Sequence, residues 1–308
     1  MFFLEPDQYS VPTYRIGTFV TQSITRNNLL DNSYSENAIG YFNTRFGQNN
    51  WLIAKNGREA MAIAMHSLAL PKDAITTILT PSNNFYISGC VTSTIQNYTS
   101  WNREKSSLTA AYFVNHEFGY LYPEMEQLVA EGLPVIEDCC TTFFSQDEAQ
   151  KIGLYGNYSI FSFPKFFSIQ IGGLLVGKGV ALDFDLAKKV SLTDVEKSHI
   201  LKVVGFELSQ KEELLRKRKE VFEYASKRFE KLGFSLRFPN REGVVPSVLL
   251  LNNNGIIKDL NSYRKLFDRH GIQNSIFYGE DAFFMPCHHY LSLIDIDYFL
   301  HIIQSNLQ

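Results

Sequence analysis

A lysine set among aromatic residues is the first candidate for chemistry in this sequence. Lys165 follows a proline within Tyr158–Gly173, a stretch that reads YSIFSFPKFFSIQIGG. The stretch begins as an alternating apolar strand and ends on two glycines. Burial among phenylalanines would lower the pKa of the Lys165 amine toward neutrality and allow it to attack a carbonyl carbon. Taken alone, however, the stretch favours an ordinary surface lysine at the end of a strand.

A second stretch adds two carboxylates. The residues LPVIEDCC, from Leu133 to Cys140, indicate a short buried strand that ends at Glu137 and Asp138. A lysine and an acid at neighbouring strand ends are what pyridoxal phosphate requires. The lysine binds the aldehyde of the cofactor, and the acid keeps the pyridine nitrogen protonated so that the ring can accept electrons. Together, the two stretches favour a pyridoxal-phosphate site.

The composition is that of a globular protein with a large core. With 308 residues, 45% of them hydrophobic and 20% charged, the chain is long enough for one large domain and one smaller one. The formal net charge of −3 provides no basic field for nucleic acid. The mixed charges of Lys211–Arg228 indicate the solvated face of a long helix.

Cysteine usage and the N-terminus favour a cytoplasmic protein. The four cysteines form no CxxC pair, so we expect reduced thiols. The N-terminus has no basic region followed by an apolar run, and no stretch approaches eighteen apolar residues, so we expect neither a signal peptide nor a membrane span. Adjacent His288 and His289 rarely face one ion, so we expect no metal site.

Strands alternating with helices predict an α/β sheet with its ligands at strand ends. The glycine fingerprint of a dinucleotide-binding domain is missing from the sequence. An amphipathic helix opened by Asn56 and Gly57 offers its positive end to an anion, with an ordinary helix cap as the alternative. The predicted helices are 56–70 and 123–133, and the predicted strands are 75–81, 110–116, 134–138, 158–163 and 172–178.

The two ends of the chain have a different residue pattern from the middle. The first fifty residues lack a clear period and are expected to form an arm or a lid. Past about residue 183 we expect a long charged helix over 201–233, a strand at VVPSVLLLN and two further helices. The sequence thus predicts a large domain over residues 1–185, with its N-terminal arm, and a small α+β domain over residues 186–308.

The order of these pieces resembles the DegT/StrS sugar aminotransferases, which are fold-type I pyridoxal-phosphate enzymes. The resemblance runs from about Asn56 to the C-terminus and is most specific over residues 110–178. It rests on motifs similar to those of the family, namely PSNNF, the HxYG-like His116–Gly119, VIEDCC, GLYGNYSIFSF, Gly57-Arg58 and the late MPCHH.

The resemblance implies a fold and a set of site residues. The expected fold is a mostly parallel mixed sheet flanked by helices, with a smaller C-terminal α+β domain. The implied catalytic residues are Lys165, which carries the cofactor, and Asp138, which lies beneath the pyridine nitrogen. The remaining implied cofactor contacts are Gly57, Arg58 and Ser162 at the phosphate, Phe85 against the ring face, and Thr141 near the ring hydroxyl.

The same resemblance implies an activity. It points to transfer of an amino group from an amino acid, glutamate in the first instance, to a nucleotide-linked keto sugar of surface-polysaccharide or natural-product biosynthesis. It also implies a homodimer. Two alternatives stay open, a degenerate or dehydratase-like protein of this fold and a binding or regulatory protein. A dehydratase is expected to carry histidine where this chain has Lys165, and a binding protein would carry no chromophore.

The sequence departs from the family pattern around the lysine. Ser162 and Lys165 are three residues apart, whereas the family spaces them five apart. We expect Pro164 to keep this segment extended, because its φ is fixed, so that the amine still reaches the cofactor. Arg58 replaces a threonine at the phosphate, and Asn157 stands where aspartate is usual. Because of these departures, the resemblance supports the fold more strongly than it supports full activity.

Overall fold

A seven-stranded sheet dominates the computed structural model, which describes residues 12–178, 182 and 190–307. The strand order is β1-β7-β6-β5-β4-β2-β3. Strands β2, β3, β4, β5 and β6 are parallel to one another, whereas β7 is antiparallel to both β6 and β1. This mostly parallel sheet confirms the predicted fold class. The strands are β1 (Trp51–Ala54), β2 (Ile75–Leu79), β3 (Ser100–Asn102), β4 (Thr109–Asn115), β5 (Val135–Asp138), β6 (Tyr158–Ser162) and β7 (Gly173–Gly177).

The central strands are buried on both faces. All four residues of β5 are buried, as are the first four of β6. A parallel strand covered on both faces by helices favours apolar residues on both sides, and Val135 and Ile136 in β5 and Ile160 and Phe161 in β6 provide them. Their carboxyl ends meet at one edge of the sheet, so Asp138 and Ser162 come to the same side of the molecule.

Nine helices are described. Helix α3 confirms the prediction over 56–70, and the side chain of Asn56 caps it by accepting a hydrogen bond from the Glu59 amide at 2.9 Å. The helices are α1 (Gln22–Asn28), α2 (Ser33–Phe46), α3 (Gly57–Ser67), α4 (Gly89–Gln96), α5 (Met125–Ala130), α6 (Asp194–Ser209), α7 (Lys211–Glu230), α8 (Leu260–Arg269) and α9 (Leu293–Gln304). Among the described residues, no helix combines the length and the apolar character that a membrane crossing requires.

A second, antiparallel sheet organises the C-terminal part. Its order is β10-β11-β9-β8, and helices α7, α8 and α9 pack against it through one hydrophobic core. The strands are β8 (Ser235–Leu236), β9 (Val248–Asn252), β10 (Ser275–Ile276) and β11 (Ala282–Pro286). Residue 185, where the sequence predicts the domain boundary, lies outside the described residues.

The expectation of an irregular arm is wrong for residues 22–46. These residues form α1 and α2, and α2 packs along α6. Ala38, Phe42 and Phe46 recur every four residues and are buried in the main core, so a helical signal was present in the sequence. The approach of α2 to α6 is close, since a Cβ added at Gly205 would lie 1.7 Å from the carbonyl oxygen of Tyr34. Residues 1–11 of the expected arm lie outside the described residues.

The single long helix expected over 201–233 is also wrong, because the chain breaks at Gln210 into α6 and α7. Helix α6 begins at a capping box formed by Thr193 and Glu196 and is buried along one side. Helix α7 carries the charged face and joins the smaller core. The break therefore lets one helix belong to the large sheet and the next to the small one.

Candidate active site

Asp138 is the acid at the centre of the carboxyl edge of the sheet. It is the last residue of β5, and only 6% of its surface is exposed. One carboxylate oxygen accepts the Cys140 amide at 3.0 Å. Burial raises the pKa of Asp138, and the Cys140 amide and the positive charge of Lys165 act against that shift. The acid and the lysine that the sequence paired are therefore electrostatic neighbours.

The neighbouring acid, Glu137, is fully occupied by structural hydrogen bonds. Its side chain is buried on the other face of β5, where it accepts backbone amides of the 153–156 loop. The groups that contact its carboxylate are the amides of Tyr155 (2.7 Å), Gly156 (2.8 Å) and Gly153 (3.1 Å), the Ser159 hydroxyl (3.1 Å) and His116 Nε2 (3.3 Å). This acid holds the loop before β6 in place.

The group formed by His116, Glu137 and Cys139 has its potential ligand atoms within 4.8 Å of one another. His116 Nδ1 accepts the Tyr122 amide at 3.0 Å, so the ring proton lies on Nε2 and points to Glu137. Since both ring nitrogens and the carboxylate already have hydrogen-bond partners, we interpret this group as structural rather than as a metal site.

Gly57 brings the start of α3 against the ends of two strands. A Cβ added at Gly57 would lie 2.7 Å from Cys140 Sγ and 3.3 Å from Ser162 Cβ. A Cβ added at Gly173, the first residue of β7, would lie 2.8 Å from the Gly57 nitrogen. The free amides of a helix N-terminus thus lie beside the Ser162 side chain, and Arg58 is exposed next to them. This cradle of amides, hydroxyl and cation fits a phosphate group.

Lys165 lies on a tight turn just past β6. Residues Phe163–Lys165 form one turn of 3-10 helix, and the Phe166 amide donates to the Phe163 carbonyl at 3.0 Å. The expectation that Pro164 keeps this segment extended is therefore wrong, because proline at the second position of a turn has the φ that helical geometry also needs. Lys165 is half-buried, and its charge acts on both Asp138 and Cys140.

Thr141 and Phe85 both lie at the carboxyl edge of the sheet, but Thr141 is hydrogen-bonded there and Phe85 is exposed. The Thr141 hydroxyl donates to the His116 carbonyl at 2.9 Å, which leaves its oxygen able to accept. Phe85 is 78% exposed in the loop after β2. That loop is tied to the edge because Glu117 accepts the Ser82 amide at 3.0 Å. Stacking of Phe85 on a cofactor ring stays a prediction.

The turn at His116–Gly119 is shaped by its last residue. Phe118 has φ 55° and Gly119 has φ 105°. A Cβ added at Gly119 would lie 2.4 Å from the Val245 carbonyl oxygen, so glycine is required for both conformation and space. The Ser247 amide donates to the Phe118 carbonyl at 2.8 Å. This motif therefore joins the large sheet to the C-terminal part.

A family model matches residues 107–185, and its description is DegT/DnrJ/EryC1/StrS aminotransferase family. This segment is similar to that family. It spans β4 to β7 and contains Asp138, Thr141, Ser162 and Lys165. Gly57, Arg58 and Phe85 lie before it. The resemblance that the sequence motifs indicated, and the assignment to aminotransferases that use pyridoxal phosphate, are thereby confirmed at the level of the family.

Solved structures with this fold cover nearly the whole chain. The aminotransferase TlmJ of Streptoalloteichus hindustanus is 14% identical, with TM-score 0.70 and coverage of 95% of this chain and 98% of that one. The sugar aminotransferase CalS13 of Micromonospora echinospora is 15% identical, with TM-score 0.67 and coverage of 96% and 100%. A sugar aminotransferase of Streptococcus pneumoniae in its PLP form is 13% identical, with TM-score 0.71 and coverage of 96% and 98%. These similarities confirm the fold. A search of curated protein sequences found no match.

Proposed function

We propose that this protein transfers an amino group from glutamate to a nucleotide-linked keto sugar with pyridoxal phosphate as its cofactor. The observation that carries the proposal is the convergence of three groups at one edge of the sheet. These are the buried acid Asp138, the amine of Lys165 and the cradle formed by Gly57 and Ser162. The same three kinds of group are needed to hold the nitrogen, the aldehyde and the phosphate of the cofactor.

The residues have separate tasks in holding the cofactor. The Gly57 end of α3 and the Ser162 hydroxyl bind the phosphate, and Arg58 adds positive charge there. Lys165 would hold the aldehyde, Phe85 would cover one face of the ring, and the Thr141 hydroxyl oxygen would accept a hydrogen bond near the ring hydroxyl. Pyridoxal phosphate, when bound, supplies the electron sink that lets an amino acid lose its α-proton.

The proposed role of Asp138 depends on the burial of its carboxylate. A carboxylate with little solvent is penalised for its charge, which is why its pKa is raised. A protonated pyridine nitrogen beside it would relieve that penalty, and the two charges would stabilise each other in a medium of low dielectric. The chain thus favours the protonated ring, which is the form with the greater capacity for electrons.

Lys165 has a second task once it is released from the cofactor. Its Nζ would then be the base that takes the α-proton of the donor. The short turn Phe163–Lys165 places this amine at the edge of the sheet where its charge acts on Asp138.

The acceptor and the assembly are part of the proposal. The family and the named sugar aminotransferases with this fold support a keto sugar as the acceptor. Glutamate as the donor and a nucleotide-linked form of the sugar are the finer parts of our proposal. We also infer a homodimer, as the resemblance to fold-type I enzymes implies, and the exposed Tyr86 beside the site, at 46%, is consistent with a subunit contact there. Sedimentation of an active monomer would contradict the dimer.

The test is the half-reaction with the amino donor. Protein loaded with pyridoxal phosphate is mixed with excess glutamate, and the cofactor absorbance should change to that of pyridoxamine phosphate as 2-oxoglutarate is released. Lys165→Ala should remove the conversion, and Lys178→Ala, which changes an exposed lysine beyond β7, should retain it. Cofactor that binds but is not converted by any of a panel of amino acids would refute the transaminase and favour the degenerate alternative.

A further inference from the structure

We propose that Glu207 is a positioning residue for Lys165, holding in place the turn that carries the amine. The proposal rests on the proposed function, since it assumes that Lys165 binds the cofactor. Glu207 lies in α6, is 1% exposed and contacts neither Lys165 nor Asp138 through a hydrogen bond that the structure records. It acts through Ser168, three residues after the lysine.

Both carboxylate oxygens of Glu207 accept the same backbone amide. The Ser168 nitrogen lies 3.0 Å from Oε1 and 3.1 Å from Oε2. A charge-assisted hydrogen bond of this kind is roughly twice as strong as a neutral one, and here it is formed out of water. The end of the segment that follows Lys165 is therefore fixed to α6.

The other polar groups of Ser168 are bonded to α1. Asn27 Nδ2 donates to the Ser168 carbonyl oxygen at 2.8 Å, and the hydroxyls of Ser23 and Ser168 are hydrogen-bonded to each other. Ser168 is fully buried. At the start of the segment, the Phe163 amide donates to the Gly172 carbonyl at 3.1 Å. Lys165 thus lies on a short turn that is tied down on both sides.

The charge of Glu207 is balanced by a pair of groups from distant parts of the chain. Arg26 donates to Glu207 at 2.8 Å and to the Tyr290 hydroxyl at 2.6 Å, and that hydroxyl donates to Glu207 at 3.1 Å. Arg26 also covers the Phe206 ring at 4.9 Å. Burial raises the pKa of Glu207, and Arg26, the Ser168 amide and the Tyr290 hydroxyl act against that shift. Each of these groups also bonds the carboxylate, which therefore holds Ser168 with its polar atoms satisfied.

The hydrogen bonds at Ser168 matter because the segment from Ser162 to Lys165 is short. Only Phe163 and Pro164 separate Ser162, at the phosphate cradle, from Lys165. With so few residues, the direction of the Lys165 side chain depends on how the turn is rotated, and the hydrogen bonds at Ser168 fix that rotation. A displacement of about 1 Å at a reacting group can slow a reaction roughly a hundredfold.

The experiment replaces one carboxylate oxygen with an amide. Glu207→Gln keeps the size of the side chain but loses one acceptor and faces Arg26 with a donor. In the cofactor-free protein, we expect faster hydrogen exchange at the amides of Phe166, Phe167 and Ser168. In the presence of saturating pyridoxal phosphate, attachment to Lys165, trapped with borohydride, should be at least about tenfold slower. Non-covalent affinity, measured in a Lys165→Ala background, should change less than about twofold.

Two further variants separate positioning from loss of stability. Ser292→Ala removes the cap of α9, where Ser292 accepts the Asp295 amide at 3.2 Å, and should destabilise the protein while leaving attachment at the wild-type rate. Tyr290→Phe removes only the hydroxyl between Arg26 and Glu207 and should slow attachment in the same direction but less, which keeps the test available if Glu207→Gln does not fold. Attachment at the wild-type rate in Glu207→Gln, or in Tyr290→Phe where Glu207→Gln does not fold, would overturn the proposal, as would equal slowing in Ser292→Ala.

The outcomes also separate this inference from the proposed function. If wild-type protein never attaches the cofactor to Lys165, the proposed function fails whatever Glu207 does. If wild-type protein attaches it and Glu207→Gln does so equally fast, only the positioning role fails. Faster exchange at residues 166–168 without slower attachment would contradict the positioning role as well, because the turn would then move without any effect on the amine.

Discussion

The substitution Gly57→Ala tests the contact between α3 and the two strand ends. Its Cβ would lie 2.7 Å from Cys140 Sγ and 3.3 Å from Ser162 Cβ, so the helix start, Cys140 or Ser162 must move. Gly89 provides a matched control, because it is the first residue of α4 and a Cβ added there meets nothing within 4 Å. The two variants make the same chemical change at the same position of a helix.

The expected magnitudes follow from these contacts. Gly89→Ala should be neutral or stabilise the protein by about 0.4–1 kcal/mol, since it restricts the unfolded chain. Gly57→Ala carries the same gain but adds overpacking, which costs about 1–3 kcal/mol. The two variants should therefore differ by about 1–3 kcal/mol in the free energy of unfolding. If the strain falls on the phosphate cradle, cofactor binding should weaken by roughly fivefold to a hundredfold.

The assay combines urea unfolding with cofactor titration for both variants. Cys140→Ala removes the atom nearest the new Cβ, so the double variant Gly57→Ala with Cys140→Ala should recover most of the lost stability, and a double-mutant cycle isolates this coupling. Equal stability and equal cofactor affinity for Gly57→Ala and Gly89→Ala would refute the close packing of α3 against Ser162 and Cys140.

Three other substitutions test separate parts of the account. Asp138→Asn should retain cofactor within a few-fold but slow the glutamate half-reaction by roughly 10²–10³, as measured by stopped-flow absorbance, and unchanged turnover would make Asp138 a structural acid. Gly119→Ala should lower the free energy of unfolding by at least about 2 kcal/mol in urea, since it combines a positive φ with a contact to Val245, and a smaller loss would contradict that geometry. Burial lowers the pKa of His288 to about 3, below its unfolded value of about 6.5, so the unfolded state binds more protons and stability should fall as the pH drops from about 6.5 toward 3. His288→Gln should flatten this dependence, and the same change at exposed His301 should not; equal slopes for the two variants would contradict the burial of His288.

The parts of the fold that the sequence predicted are those with strong local signals. Strands β5 and β6 are buried on both faces and contain adjacent apolar pairs, so the sequence predicts their ends and with them the positions of Asp138 and Ser162. Helix α3 was equally clear, since an asparagine cap precedes a helical period. These elements supply the site, which explains why the candidate residues fall together.

The elements that the sequence missed have weak local signals. The four-residue spacing of Ala38, Phe42 and Phe46 in α2 is diluted by polar neighbours, and β8 and β10 are two residues long. Such short strands are stabilised by their partners rather than by their own propensity.

Glu207 and the turn at Lys165 depend on distant contacts. Glu207 lies in a segment of mixed charge, where a glutamate resembles a solvated residue, and its partner Arg26 is 181 residues away in the chain. Nothing local marks it as buried. The turn at Phe163–Lys165 was mistaken for an extended segment because proline suits both conformations, and the hydrogen bonds of Ser168 decide between them.

The central claim, that Lys165 carries the cofactor, is tested most directly by chemical trapping. Purified protein is incubated with pyridoxal phosphate, reduced with borohydride, digested and mapped by mass spectrometry. The account predicts one labelled peptide, with the cofactor on Lys165, and no label in Lys165→Ala. Label on Lys178 or on another lysine, or no label at saturating cofactor, would contradict it.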